Sequence, residues 1–263
     1  ENDDINILGI SERDKENRKI NILQSLNKSK SEILNIIPNN FTFFKRMSFN
    51  KNVIDNNYNT FINNENVQEK KLDSVFLGVK EIGEVNINGE SILIFDYENF
   101  NIEDYLKSFT QLTKYRGQTI YSGSNLNLSE FDVLDFKISK SFDYVTKINN
   151  FLILSNDLNV IQNLILNYNN RSLISQDENF IKFLEFIPNK TTYFEIVNNT
   201  DNEDNKGFPF WFSNYELKGN SNFKSLYTTP SFDLKKNKNL NLKFSKKLKN
   251  EIIVNPTFIN NYK

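Results

Sequence analysis

Apolar positions recur along the chain with two periods, and the places where one period gives way to the other predict the elements. The stretch SQDENFIKFLEFIPNKTTYFEIVNN, Ser175 to Asn199, holds both in succession. Ser175 and Glu178 stand at capping-box spacing, where each side chain can satisfy a free backbone N–H at a helix start. Phe180, Ile181, Phe183, Leu184 and Ile187 then share one helical face. Pro188 stops the helix, because it has no N–H to donate and clashes with the preceding turn. Beyond Asn189, the β-branched and aromatic run TTYFEIV predicts a strand. EILNIIPNNFTFFKRM, Glu32 to Met47, repeats the device: an apolar helix end, Ile-Pro-Asn, then a Thr/Phe strand. Two copies of helix, Ile-Pro-Asn and strand predict a domain built by duplication.

In chain order, residues 1–18 are polar and charged and predict a tail. A weakly periodic helix is expected from Ile20 to Ile37, and a strand from Phe41 to Phe49. Ile54, Tyr58, Phe61 and Ile62 share a helical face, and Leu72, Val75, Phe76, Val79 and Ile82 form a fuller stripe with Gly83 placed as a C-terminal cap. Asn88-Gly89 signals a hairpin, since both turn positions need positive φ. Ile102, Tyr105, Leu106, Phe109 and Leu112 predict a helix with Glu103 and Asp104 in its first turn. RGQTIYS, FDVLDFKIS, FDYVTKI and FLILS read as strands, with a tight turn at Asn149-Asn150. Leu158, Ile161, Ile165 and Tyr168 mark a further helix, and three strands follow the acidic loop TDNEDNKG. The fold expected is α+β: antiparallel sheets with amphipathic helices packed on one face, in two related lobes from an internal duplication. The domains expected are a polar tail at 1–18, the duplicated domain at 19–200, and a β-rich extension at 201–263 leading into a further domain.

Composition narrows the chemistry. The 263 residues include no Ala, Cys or His, but 24 Phe and 11 Tyr, whose large buried area offsets a hydrophobic share of only 38%. Abundant Asn, Lys, Ile and Phe are what a GC-poor genome produces, so Asn-x-Ser/Thr triplets carry no weight as glycosylation signals. A net charge of -1 supplies no global field for nucleic acid or an anionic membrane. Without Cys there are no disulfides or thiolate metal sites. No apolar run reaches the ~18 residues that a membrane-spanning helix needs. The acidic, Asn-rich start ENDDIN suits a mature N-terminus that follows a removed or lipid-bearing segment.

Several stretches together resemble a family of uncharacterised envelope proteins of Gram-negative bacteria, a domain of unknown function. They are the Ile-Pro helix end and strand at 34–49, EIGEV at 81–85, YRGQTIYS at 115–122, NNFLILSND at 149–157, and RSLISQDENFIKFLEFIPNKTTYFEI at 171–196. The resemblance implies an exported or lipid-anchored protein, extracytoplasmic, attached to the membrane only through an N-terminal anchor. It also implies a following β-propeller-like region, whose lead-in Phe244, Leu248, Ile252, Pro256 and Phe258 resemble. It brings no active site.

Candidate catalytic groups are sparse. Ser near Lys at 25–31 and 139–144 could form a dyad, although a chain this rich in both produces such pairs by chance. Asp132, Asp135 and Asp143, or Asp96 and Glu98, could pair as carboxylates, but solvent-facing alternation on half-buried strands explains them as well. Asp201, Glu203 and Asp204 invite calcium, yet Gly207 falls one place late for an EF-hand loop and Phe212 occupies the place of its last ligand. The lysines from Lys235 to Lys249 read as solvated strand edges and not as a nucleic-acid surface. Phe208, Phe210, Trp211, Phe212 and Tyr215 are five aromatics in eight residues, more than one strand face can bury. Trp211 and Tyr215 are therefore the candidate partner-binding residues. The expectation is a non-enzymatic envelope protein, without cofactor or metal, acting through contacts with other envelope proteins as an accessory or scaffold subunit. The alternative is a ligand- or carbohydrate-binding module.

Overall fold

The computed structural model describes residues 5–12, 18–61, 72–123, 131–133, 136–138, 141–200, 208–218 and 221–228. Its strands are β1 (Ile5–Glu12), β2 (Phe41–Ser48), β3 (Val79–Ile87), β4 (Glu90–Tyr97), β5 (Gln111–Tyr115), β6 (Gln118–Ser122), β7 (Phe131–Val133), β8 (Phe136–Ile138), β9 (Tyr144–Ile148), β10 (Phe151–Ser155), β11 (Tyr193–Asn198), β12 (Phe210–Lys218) and β13 (Ser221–Thr228). Helices are fewer: α1 (Lys51–Phe61), α2 (Ile102–Leu106), α3 (Leu158–Asn170) and α4 (Glu178–Leu184), with 3-10 turns at 18–23, 33–35, 74–76 and 174–176. Eleven strands form one sheet in the order β1-β13-β12-β11-β2-β3-β4-β10-β9-β6-β5, and β7 and β8 make a separate ribbon. Every pairing among the described strands is antiparallel.

This corrects the expected α+β fold of helix-covered sheets in two lobes. Among the described residues strand outnumbers helix, 42% to 27%, and the strands belong almost entirely to one continuous sheet. The two strands that follow the Ile-Pro-Asn segments do not found separate lobes. β2 and β11 lie side by side near the middle of the sheet, with Phe44 opposite Ile196 and Arg46 opposite Phe194. Helices and turns pack on both faces of the sheet, not on one. Turn 18–23, α1, turn 74–76 and α2 cover a first face, lined by Met47, Ile82, Phe95, Leu152 and Tyr193. Turns 33–35 and 174–176, α3 and α4 cover the second, lined by Phe44, Val85, Ile94, Ile153, Ile196 and Phe212.

Two predicted helices are absent for identifiable reasons. Val75, Phe76, Val79 and Ile82 are all buried, as a helical stripe would have them, but only turn 74–76 is helical, and β3 begins at Val79. Hydrogen bonding to strands on both sides outweighs the local 3.6-residue period, and Val79, Ile82, Val85 and Ile87 suit a buried strand. Between Ile20 and Ile37 the backbone is drawn to other partners instead of a helix: Ser29 bridges Thr191, and the amides of Glu32 and Ile33 turn to the Glu81 carboxylate. The helix after Ser175 starts later than its capping box predicts. Asp177 is the cap, its Oδ1 accepting from the Phe180 amide at 2.8 Å, while Ser175 lies in turn 174–176. The stretch expected as a polar tail contains β1. The turns agree with their signals: Asn88 and Gly89 take φ 55° and 88°, and Asn149 takes 50°.

Gly83 is not a helix cap. It sits within β3, and a Cβ there would lie 2.9 Å from both Ile33 Cδ1 and Phe44 Cε2. The missing side chain lets turn 33–35 press directly on the sheet. Gly83→Ala is expected to cost about 1–3 kcal/mol of stability through this overpacking, checked by denaturant unfolding; an unchanged midpoint would show that the turn can move away freely.

Candidate functional site

Side chains directly opposite one another across antiparallel strands share a face, so the register orders the first face into rows. One row runs Ile82, Met47, Tyr193, Tyr215 and Lys224 across β3, β2, β11, β12 and β13. The next runs Glu84, Lys45, Glu195, Ser213 and Leu226, and continues to Ile7 on β1. The third runs Asn86, Phe43, Val197, Trp211 and Thr228. Trp211 and Tyr215 therefore point to the same face, two rows apart, at roughly 13 Å along the strand. The same alternation sends Phe210 and Phe212 to the second face, where they are buried against α4 and Phe194.

The rows differ in cover. Tyr215 lies where the segment that follows turn 18–23 crosses the sheet. Its ring meets Tyr193 edge-on at 5.5 Å and carries the Lys224 ammonium at 4.8 Å. It lines a cleft of about 260 Å³ with Leu23, Leu26, Thr192 and Leu217, and Lys28 pairs with Glu216 there at 2.7 Å. From β3 to β12 the middle row is polar, and its charged groups have partners. Lys45 Nζ lies 2.8 Å from Glu84 Oε2. Tyr193 donates to Glu195 Oε1 at 2.6 Å, and Ser213 to Glu195 Oε2 at 3.2 Å. The third row is the open one: Val197 is 37% exposed, with Phe43 and Trp211 half-buried on either side of it. Phe43, Val197 and Trp211 thus form an apolar shelf three strands wide, bordered by a fixed row of opposite charges.

The other candidates do not assemble a reaction centre. Asp143 and Glu98 are exposed. Asp132 lies on β7. Asp135, Ser139 and Lys140, the acidic loop with Asp201, Glu203 and Asp204, and the lysines from Lys235 onward lie outside the described residues. Among the described residues no group of three or more acidic side chains is placed to hold a metal ion, and no helix is long and apolar enough to cross a membrane.

Sequence reading missed the polar centre on the second face. Arg46 is wholly buried in β2, and its Nε lies 2.6 Å from Glu81 Oε2. Its other nitrogens donate to Ser48 Oγ at 3.0 Å, to the Thr191 carbonyl at 2.8 Å, and to Ser29 Oγ. Glu81 Oε1 accepts from the amides of Glu32 and Ile33 at 2.7 and 2.8 Å. The one sequence signal was a charge amid apolar strand residues, Arg46 in FFKRMSF and Glu81 in VKEIGEV. Asp96 stands across from Glu81 on β4, is 1% exposed, and has Lys80 Nζ at 3.1 Å. Burial pushes its carboxyl up to about 6, and Glu81 adds to the rise, while the Lys80 ammonium opposes it.

Removing one member of a buried ion pair strands the other charge, so Arg46→Met is expected to cost about 3–5 kcal/mol. Arg46→Met/Glu81→Gln should recover part of that, since Gln carries no charge and can still accept from the two amides; denaturant unfolding of both variants checks this. Asp96 gives a pH signature. Its carboxyl binds a proton more tightly folded (about 6) than at its ordinary 3.8, so its contribution is full below about 4 and is lost as pH rises through 6. Melting temperature should show this fall between pH 4 and 6, and Asp96→Asn should remove it; a variant that keeps the wild-type slope would assign it to another group.

No family model, curated protein or solved structure matches this chain.

Proposed function

We propose that this protein is a non-enzymatic scaffold or accessory subunit that works by protein–protein contact, with the Phe43–Val197–Trp211 shelf as its docking surface. The observation that carries this reading is the run Phe43, Val197 and Trp211, apolar and partly exposed on the first face and, among the described residues, outside the core that helices and turns cover. Trp on β12, two strands in from the β1 edge, suits an interface anchor, because it brings large area with little side-chain entropy to lose. The charged border of Lys45, Glu84 and Glu195 supplies orientation. The resemblance to exported envelope proteins supports a setting in the cell envelope, with other envelope proteins as partners. A second reading, a small ligand- or carbohydrate-binding module, draws on the Tyr215 cleft, where an aromatic ring, Thr192, Gln24 and the Lys28–Glu216 pair converge.

The test is affinity purification of the tagged full-length protein from gently solubilised native membranes, beside Trp211→Ala. Stoichiometric recovery of a partner with the wild type and its loss with Trp211→Ala is the expected result. Trp211 is half-buried at the sheet face, so the variant should keep its far-UV circular dichroism spectrum. Recovery of the wild type alone, in the soluble fraction, would overturn the scaffold reading and turn attention to ligands of the Tyr215 cleft.

A further inference from the structure

The sheet has two edges, and they are built differently. β5, at one end, has five residues, carries Lys114, and slips register between Gln111 and Thr113. A short strand, a lysine and a bulge are the usual means of keeping an edge from pairing with another chain. β1, at the other end, has none of them. It runs eight residues, INILGISE, without Pro, Lys or Arg. It keeps unbroken register with β13 from Ile5 opposite Thr228 to Glu12 opposite Ser221. Among the described residues nothing pairs with its outer side. Ile7 and Leu8, which alternate to opposite faces, are each 48% exposed. A straight edge of this length presents a row of backbone donors and acceptors already set at strand spacing.

We propose that β1 pairs antiparallel with β1 of a second copy, joining two sheets into one across a two-fold axis. The charge pattern favours a second copy as the occupant. A two-fold axis normal to the sheet keeps the faces of both copies aligned, so odd positions meet odd and even meet even. With Gly9 on the axis, Leu8 stands opposite position 10 of the second copy, an Ile. Ile7 stands opposite Ser11, and Asn6 opposite Glu12, the one charged residue of the strand. Along β1 no charge meets a like charge, and Gly9 leaves the crossing point without side chains. Leu8 and Ile10 of each copy fall together as four apolar positions on one face. On the other face the two Ile7 positions extend the row of Ser213 and Leu226, so the joined sheet carries two Trp211 shelves facing the same way. The pairing stands apart from the shelf's own partner and needs none.

Sedimentation equilibrium of the full chain over a wide concentration range tests the pairing. The expected species is a dimer, twice the 30.9 kDa of one chain. Leu8→Lys should return it to a single chain with an unchanged circular dichroism spectrum. Leu112→Lys, on the opposite edge where Leu112 is 50% exposed, should leave the dimer intact, and so should Trp211→Ala. In the wild type, hydrogen–deuterium exchange at β1 amides should slow as concentration rises, a readout that does not depend on any variant folding. A single chain at every concentration, or a dimer that survives Leu8→Lys, would overturn the proposal. So would a dimer lost with Trp211→Ala, which would move the interface to the shelf.

Discussion

The buried pair of Arg46 and Glu81 ties together four parts of the chain: two neighbouring strands, the segment at 29–33, and the residues that lead into β11. Arg46 belongs to β2 and Glu81 to β3, so they stand on neighbouring strands, and each reaches outward to a different segment. Arg46 takes hold of Ser29 and of the Thr191 carbonyl that leads into β11, while Glu81 caps the backbone at Glu32 and Ile33. Two full charges in an apolar interior are tolerated only when nearly every donor and acceptor is satisfied, and here the satisfying groups come mostly from backbone and hydroxyls. The result is positional. The segment from Ser29 to Ile37 has no continuous helix to hold it, yet it is fixed across the second face. Gly83, lacking a side chain, lets it close on the sheet.

With that segment anchored, the core divides cleanly between the two faces. The chain has no alanine and many phenylalanines, so its filling is done by rings in contact. Phe49, Phe76, Phe95, Tyr97 and Phe100 form a chain on the first face, with centroids from 4.6 to 6.4 Å apart. Phe44, Phe194, Phe212 and Tyr227 do the same on the second, at 5.2 to 5.9 Å. Such ring contacts bury much area per residue, which helps explain how a chain of low hydrophobic share sustains so wide a sheet. Among the described residues the cover on the first face ends before the third row, which leaves Phe43, Val197 and Trp211 as a shelf.

Much of the local structure was legible. Turn chemistry at Asn88-Gly89 and Asn149 identified hairpins correctly, because the demand for positive φ is a property of a few residues. The excess of aromatics at 208–215 was read as too many for one face, and alternation does divide them: Phe210 and Phe212 inward, Trp211 and Tyr215 to the opposite side. What failed was the assignment of helix at 20–37 and 72–83. There the apolar spacing fits a helical face, but the backbone found partners on distant strands, and no local period reports those partners.

By itself the sequence determined the turns, the apolar positions and the absence of thiol or imidazole chemistry, since each depends on one residue or on near neighbours. Only the tertiary structure decided that the two Ile-Pro-Asn strands would adjoin, that eleven strands would join one sheet, and which row would stay uncovered. Those outcomes rest on register and on pairings across the length of the chain, Arg46 with Thr191 among them. Sequence spacing carries no record of which strand edge a given strand will meet.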